Sequence, residues 1–354
     1  VFGLLSLIVA SIYFLHFFNI FNKISFSNSV YLCLKICGIN GILYYYHFWQ
    51  LNPSYNLLNI VGFLFLTAST FALIVKSKNG ILTNLKYILL GVLGGVLIIF
   101  SKVISLVIFL PILLIFLSFY LERKFLFSVI ILSLSFLVLF LVLFINFYFG
   151  FDNFLKDING AYEMRKIMGY NNSGLLAMLY LNIKQIIFEI ISYIYIFLFL
   201  FSLVIFKDKD NFKNFYSLIF LFSVCLLFFY TKSLISIIFS LLIMSLINVY
   251  LNFEKKKNKD FIISLLFLSS VCFSISFGTN TGIVKHLNYS YFFLFVILFN
   301  YYSTFVSRNF YENFFGSLMI FIIVLSAIIG GYKKPLRLNQ SISEQNYKIK
   351  FPFI

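Results

Sequence analysis

From its first residue to about position 332, the chain alternates long apolar runs with short polar breaks. The runs are roughly 15–22 residues long, the length a helix needs to cross a hydrocarbon core about 30 Å thick. They are continuous, as in LVLFINFYF at 141–149 and IFLFLFSLVIF at 196–206. A barrel strand would alternate apolar and polar residues instead. In lipid a backbone must satisfy its own hydrogen bonds, so continuous runs become helices. The pattern predicts an all-α, polytopic transmembrane helix bundle of about twelve spans, near 1–21, 29–46, 57–75, 87–100, 103–121, 125–149, 185–206, 215–230, 234–252, 261–277, 289–306 and 314–332. Residues 1–332 form one multi-span domain, and 333–354 form a polar extracytoplasmic tail.

The breaks fall into two alternating sets. One is short and basic, with Lys23; Lys76, Lys78 and Lys86; Arg123 and Lys124; Lys207, Lys209 and Lys213; Lys255, Lys256, Lys257 and Lys259; and Arg308. The other set holds half as many cations, Lys102, Lys156, Arg165, Lys166, Lys184, Lys232 and Lys285. The positive-inside rule assigns the first set to the cytoplasm. The second set, which includes loops 46–56, 150–184 and 278–288 and a tight turn at Ser101–Lys102, then faces outward. The longest breaks belong to this outer set, and long loops in compact proteins often carry function.

Composition sharpens this picture. Of 354 residues, 62% are hydrophobic and only 11% are charged, against about 25% charged in a soluble domain. The net charge of +16 does not point to nucleic acid, because the lysines are scattered through short breaks and form no continuous basic face. Membrane lipids are the expected surroundings. Only four of the 27 basic residues are arginine, and Phe, Ile, Asn and Tyr abound, as in proteins of AT-rich bacterial genomes. Cys33, Cys37, Cys225 and Cys272 lie in apolar segments and read as small apolar residues.

Candidate chemistry is sparse. Lys35 and Glu189 lie within predicted spans, where a charge is costly and therefore a candidate for function. The plainer reading is snorkelling or pairing with a neighbour. Lys102, at a turn with almost no loop, suits a phosphate as a point charge, or it anchors the turn at the interface. Gly91, Gly94 and Gly95 on the preceding helix allow close helix approach. In loop 150–184, Asp152, Asp157 and Glu163 precede Arg165 and Lys166, a base beside a phosphate clamp or an ordinary solvated loop. His286 follows Lys285 in another outer loop. His16, His47 and His286 form no metal motif, and no ligand set for a divalent metal or other cofactor is visible. Walker, dinucleotide, nucleophile-elbow and zincin motifs are absent.

Four stretches carry a resemblance. Asn52-Pro53-Ser54-Tyr55-Asn56 opens a span. It is followed by Leu90-Gly91-Val92-Leu93-Gly94-Gly95, and then by the Phe100-Ser101-Lys102 turn. Further on comes Ser276-Phe277-Gly278-Thr279-Asn280. This run resembles the P-x-Y-N, G-x-x-x-G and (S/A)-K-P pattern, with a later FGTN element, of bacterial polytopic glycosyltransferases of the GT-C fold. These are relatives of the dolichyl-phosphate-mannose protein mannosyltransferases and the lipid A aminoarabinose transferases. The resemblance implies a GT-C-like bundle in the bacterial cytoplasmic membrane. It also implies sugar transfer from a polyprenyl-phosphate-linked donor to a lipid, glycan or protein acceptor. The substrate-binding candidates are Asn52, Tyr55, Asn56, Ser101, Lys102 and Asn280, within the resembling stretches, together with Arg165, Lys166, Glu189, Lys285 and His286, read from their charge and position. The chain departs from the pattern at Val103, where the family often has proline, and loop 46–56 lacks the acidic residue of the family's first outer loop. The catalytic carboxylate is accordingly expected upstream of Val1, with Asp152, Asp157 and Glu163 as weaker candidates. An O-antigen-polymerase-like protein, which would rely on outer-loop arginines, and a transporter or lipid flippase, which would line its midplane with polar residues, are the alternatives.

Overall fold

The computed structural model describes residues 2–25, 27, 28, 30–36, 55–148, 150–153, 155, 156, 159, 160, 163, 180, 183–188, 191, 256–277, 290, 292, 293, 296 and 297. Within them the regular elements are helices: α1 (Phe2–Asn22), α2 (Tyr55–Lys76), α3 (Leu85–Ser118), α4 (Arg123–Tyr148) and α5 (Lys256–Ser276), with a short 3₁₀ turn at Ser77–Asn79. Residues 30–36 are also helical. The helices α1 to α4 are long and apolar enough to cross a bilayer, as expected of a membrane protein. The spans expected at 185–206, 215–230, 234–252, 289–306 and 314–332 lie wholly or largely outside the described residues.

Helix α3 holds two helical arms where two spans, 87–100 and 103–121, were expected. Its 34 residues are interrupted by a single non-helical residue, Lys102, at φ −151° and ψ 78°. A straight helix of that length would rise about 51 Å, well beyond a hydrocarbon core. Packing against α2 shows that the two arms run in opposite directions. In the first arm, Tyr87 sits beside Ser69, Gly91 also beside Ser69, and Gly94 and Ile98 beside Gly62. In the second arm, Phe109 packs on Phe63 and Phe116 on Phe71. The first arm therefore runs antiparallel to α2 and the second parallel to it, so the chain reverses at Ser101–Lys102.

Helix α4 then follows the direction of the first arm. Val129 clusters with Leu73, Ile88 and Val92, Leu137 lies by Gly95, and Phe144 packs on Phe100 at 4.2 Å. Helix α5 runs the same way. Near its start, Asp260 accepts from the Tyr120 hydroxyl at 3.1 Å and the Ser264 hydroxyl meets Asn22 at 3.1 Å. Near its end, Ile275 meets Asn59. Helices α1 and α2 both run in the opposite direction, with Phe18 and Phe21 of α1 against Phe71.

Helix α2 is the central element. Its Phe71 ring touches Phe14, Phe18, Phe21, Phe116 and Phe267 at 5.2–6.0 Å between centroids, and Phe116 stacks on Phe267 at 3.9 Å. Between helices in lipid, attraction comes from close packing rather than from the hydrophobic effect. An aromatic pair adds about 0.5–1.5 kcal/mol beyond its area. Glycine supplies the closest approach: a Cβ on Gly94 would fall 2.6 Å from the Gly62 carbonyl oxygen and 2.8 Å from the Leu66 nitrogen. The two backbones touch there.

The bundle thus has two distinct ends. At one, α1, α2 and the second arm of α3 finish, and the first arm, α4 and α5 begin. This end carries the exposed cations Lys23, Lys78, Lys86, Arg123 and Lys124, and the starting positions Lys256, Lys257 and Lys259 of α5. Its turn between α2 and α3 is held by the buried Asn84, whose amide donates to the Lys76 and Gly80 carbonyls at 2.9 and 2.7 Å. Gly80 adopts φ +80°, which favours glycine. At the opposite end, α2 begins, α3 reverses and α4 and α5 finish.

Candidate functional site

The end that holds the reversal of α3 also gathers buried polar groups. Lys102 leaves the helical conformation, and its side chain is only 6% exposed. A buried ammonium needs electron-rich neighbours. Its Nζ lies 3.5 Å from the carbonyl oxygen of Ile275. That carbonyl is in the last turn of α5, where four carbonyls lack partners within their own helix. The negative end of the helix dipole also favours a cation there. Two further side chains close the same helix end. The Asn59 amide nitrogen donates to the Ile275 carbonyl at 3.2 Å, and the Ser105 hydroxyl donates to the Phe277 carbonyl at 3.2 Å. Helix α2, the α3 turn and the start of its second arm therefore meet the end of α5 at the carbonyls of Ile275 and Phe277.

Asn59 is fully buried, and its Oδ1 has no hydrogen-bond partner. The same holds for Oδ1 of Asn56, one helical turn earlier and 2% exposed. Amide orientation is ordinarily a matter of assignment, but at Asn59 chemistry fixes it. A carbonyl can only accept, so the nitrogen must face Ile275 and the oxygen must point elsewhere.

Of the residues expected at a site, the structure brings Asn56, Ser101 and Lys102 to this end. Ser101 donates to the Ile98 carbonyl at 3.0 Å, within its own helix. Tyr55 opens α2 at the same end. Asp152 follows α4 past that end, and both it and Glu163 are exposed. Asn52, Asp157, Arg165, Lys166, Glu189, Asn280, Lys285 and His286 lie outside the described residues. Lys35, half-buried, places its ammonium over the Tyr31 ring at 4.6 Å, a cation–π contact one turn along its own helix.

Two residues of this cluster, Asn59 and Ser105, were not singled out from sequence. Each stands three positions after a residue that was, Asn56 and Lys102, and so shares its helix face. That spacing was the available signal. Chemically, the cluster offers one cation, two unsatisfied acceptors and hydroxyl groups in apolar surroundings, a setting in which each polar contact is strengthened. Among the described residues no group of three or more His, Cys, Asp or Glu side chains converges as a metal site would need. No family model matches the chain, and neither a curated protein nor a solved structure matches it.

Proposed function

We propose that the chain is a multi-pass glycosyltransferase of the bacterial cytoplasmic membrane, a GT-C-like bundle of about twelve spans. It transfers a sugar from a polyprenyl-phosphate-linked donor to a lipid, glycan or protein acceptor at the extracytoplasmic face. The observation that carries the reading is the meeting of α2 at Asn59, the α3 reversal at Lys102 and the end of α5 at Ile275 and Phe277 around one buried cation. Each of these meeting points lies in or next to a stretch that resembles the GT-C transferases. The site also lies at the end of the bundle opposite the lysine-rich turns, which is the outer end by the positive-inside rule.

In this reaction the acceptor hydroxyl attacks the anomeric carbon and its proton passes to a carboxylate. The bond from the anomeric carbon to the phosphate oxygen breaks, and polyprenyl phosphate departs. Lys102 holds the phosphate and offsets the charge that grows on it as the bond breaks. Close positioning of donor and acceptor supplies much of the remaining acceleration. Asp152, Asp157 and Glu163 are the carboxylate candidates of this chain.

The test is sugar transfer by the purified protein in liposomes, read as release of polyprenyl phosphate from a labelled donor. Lys102→Met is expected to lower the rate by about 10²–10³-fold while membrane insertion is kept. Lys102→Arg retains the charge but not its point geometry and recovers part of the rate. Unchanged transfer by Lys102→Met overturns the assignment of Lys102. Passage of the lipid across the bilayer by the wild-type protein without release of polyprenyl phosphate overturns the transferase reading in favour of a flippase.

A further inference from the structure

The lysine-rich end of the bundle has a corner that the transferase reading does not use. Three stretches far apart in sequence are tied together there. The Phe21 ring, near the end of α1, meets Tyr120, in the turn after α3, edge-on at 5.1 Å between centroids. The Tyr120 hydroxyl donates to Asp260 of α5 at 3.1 Å, and the Ser264 hydroxyl donates to Asn22 of α1 at 3.1 Å. These ties stand within four positions of six cations. Lys23 follows Asn22, Arg123 and Lys124 follow Tyr120, and Lys256, Lys257 and Lys259 precede Asp260. Lys23, Arg123 and Lys124 are exposed. Among the described residues of these stretches the acidic groups are Glu122 and Asp260, and Asp260 is engaged by Tyr120. Helix placement worsens the balance. Arg123 and Lys124 open α4, Lys256, Lys257 and Lys259 open α5, and neither helix has an acidic residue in its first turn. The helix dipole adds partial positive charge at those same positions, where an anion is favoured and a cation is not.

Apolar surface adjoins this charge. On the second arm of α3, just before the Tyr120 turn, Ile115 and Phe119 are 58% and 62% exposed and lie one turn apart on one face. A ligand that matches both features carries a phosphate joined to acyl chains, whereas a free phosphate would use the cations alone. We infer that this corner is a binding site for an anionic phospholipid, its headgroup phosphate among the cations at the end of α1 and the starts of α4 and α5, and its acyl chains along Ile115 and Phe119. The site neither uses Lys102 nor depends on the transferase reading. Cations that flank membrane spans stand level with the headgroups, and basic pockets between spans bind anionic ones.

Native mass spectrometry of the full chain in detergent tests this, with phosphatidylglycerol, phosphatidylcholine of the same acyl chains and inorganic phosphate as probes. Wild type is expected to bind phosphatidylglycerol about tenfold more tightly than phosphatidylcholine. Lys124→Gln is expected to weaken phosphatidylglycerol binding about fivefold. Lys78→Gln makes the same change of charge at the same end of the bundle, but in the turn between α2 and α3. It is expected to leave binding within about twofold of wild type, since the effect of a charge fades with distance. Equal losses in the two variants would mean a diffuse positive field and overturn the site. Equal binding of the two lipids by wild type also overturns it. Displacement of phosphatidylglycerol by millimolar inorganic phosphate would reveal a free-anion site and overturn the assignment to a lipid. Arg123→Gln gives the same comparison if Lys124→Gln does not insert.

Discussion

At the scale of single residues, the site rests on side chains whose type follows from what a dry helix end requires. The last carbonyls of α5 need donors, and Asn59, Lys102 and Ser105 each supply one. Lys102 stands out in the sequence because a lone cation between two apolar runs is costly. Asn59 and Ser105 do not, because small polar residues also occur in membrane helices without consequence. Their importance depends on α5, more than 150 positions away in sequence. The glycines show the same limit. Gly91, Gly94 and Gly95 read alike in sequence, yet Gly94 meets α2 backbone and Gly95 faces only Leu137 at 3.9 Å from a hypothetical Cβ. Gly94→Ala is therefore expected to lower stability by about 1–3 kcal/mol and Gly95→Ala to leave it nearly unchanged. Thermal melting of the two variants in the same detergent checks this.

At the scale of elements, α3 is the most informative. Its hydropathy shows one apolar stretch interrupted by Ser101 and Lys102, and the length of that stretch exceeds what a single span can use. The reversal was legible for that reason, since a bilayer's thickness rules out a straight rod. What the pattern did not reveal is which helices the two arms would grip. That is decided by Phe63, Phe71, Phe109 and Phe116, and an aromatic residue in a Phe-rich chain carries no label for its partner. The C-terminal cap of α5 is a second element-scale feature. Ser105→Ala leaves the Phe277 carbonyl without its donor and is expected to cost about 1–3 kcal/mol, with the loss concentrated at this helix end. Hydrogen exchange of the amides in the last turn of α5 is the measurement, and faster exchange there than in the first turn is the expected result.

At the scale of the whole molecule, the sorting of charge is the governing feature. The lysine-rich turns that sequence alone assigned to one side do collect at one end of the described bundle, and Lys102 sits at the other. This sorting was readable because orientation in a membrane is written in short turns, which need no knowledge of tertiary contacts. The composition of the full site was not readable, because it joins residues from three distant stretches. In a cysteine-free background, Lys78→Cys and Asn153→Cys, both exposed positions, are expected to react with a membrane-impermeant maleimide from opposite faces of sealed vesicles. Labelling of both from one face would contradict the arrangement.

The shortness of the two α3 arms has a consequence for the surrounding lipid. Each arm, half of the 34 residues, rises only about 25 Å, whereas an average hydrocarbon core is about 30 Å thick. The leaflet next to Lys102 must pinch inward to meet the turn, or the turn must lie beneath the headgroups. In either case a lipid phosphate comes level with the ammonium most easily where the bilayer is thin. Under the proposed transferase function, the rate of sugar transfer measured in vesicles of graded acyl-chain length is therefore expected to fall as the chains lengthen, so that the thickness of the host membrane controls it.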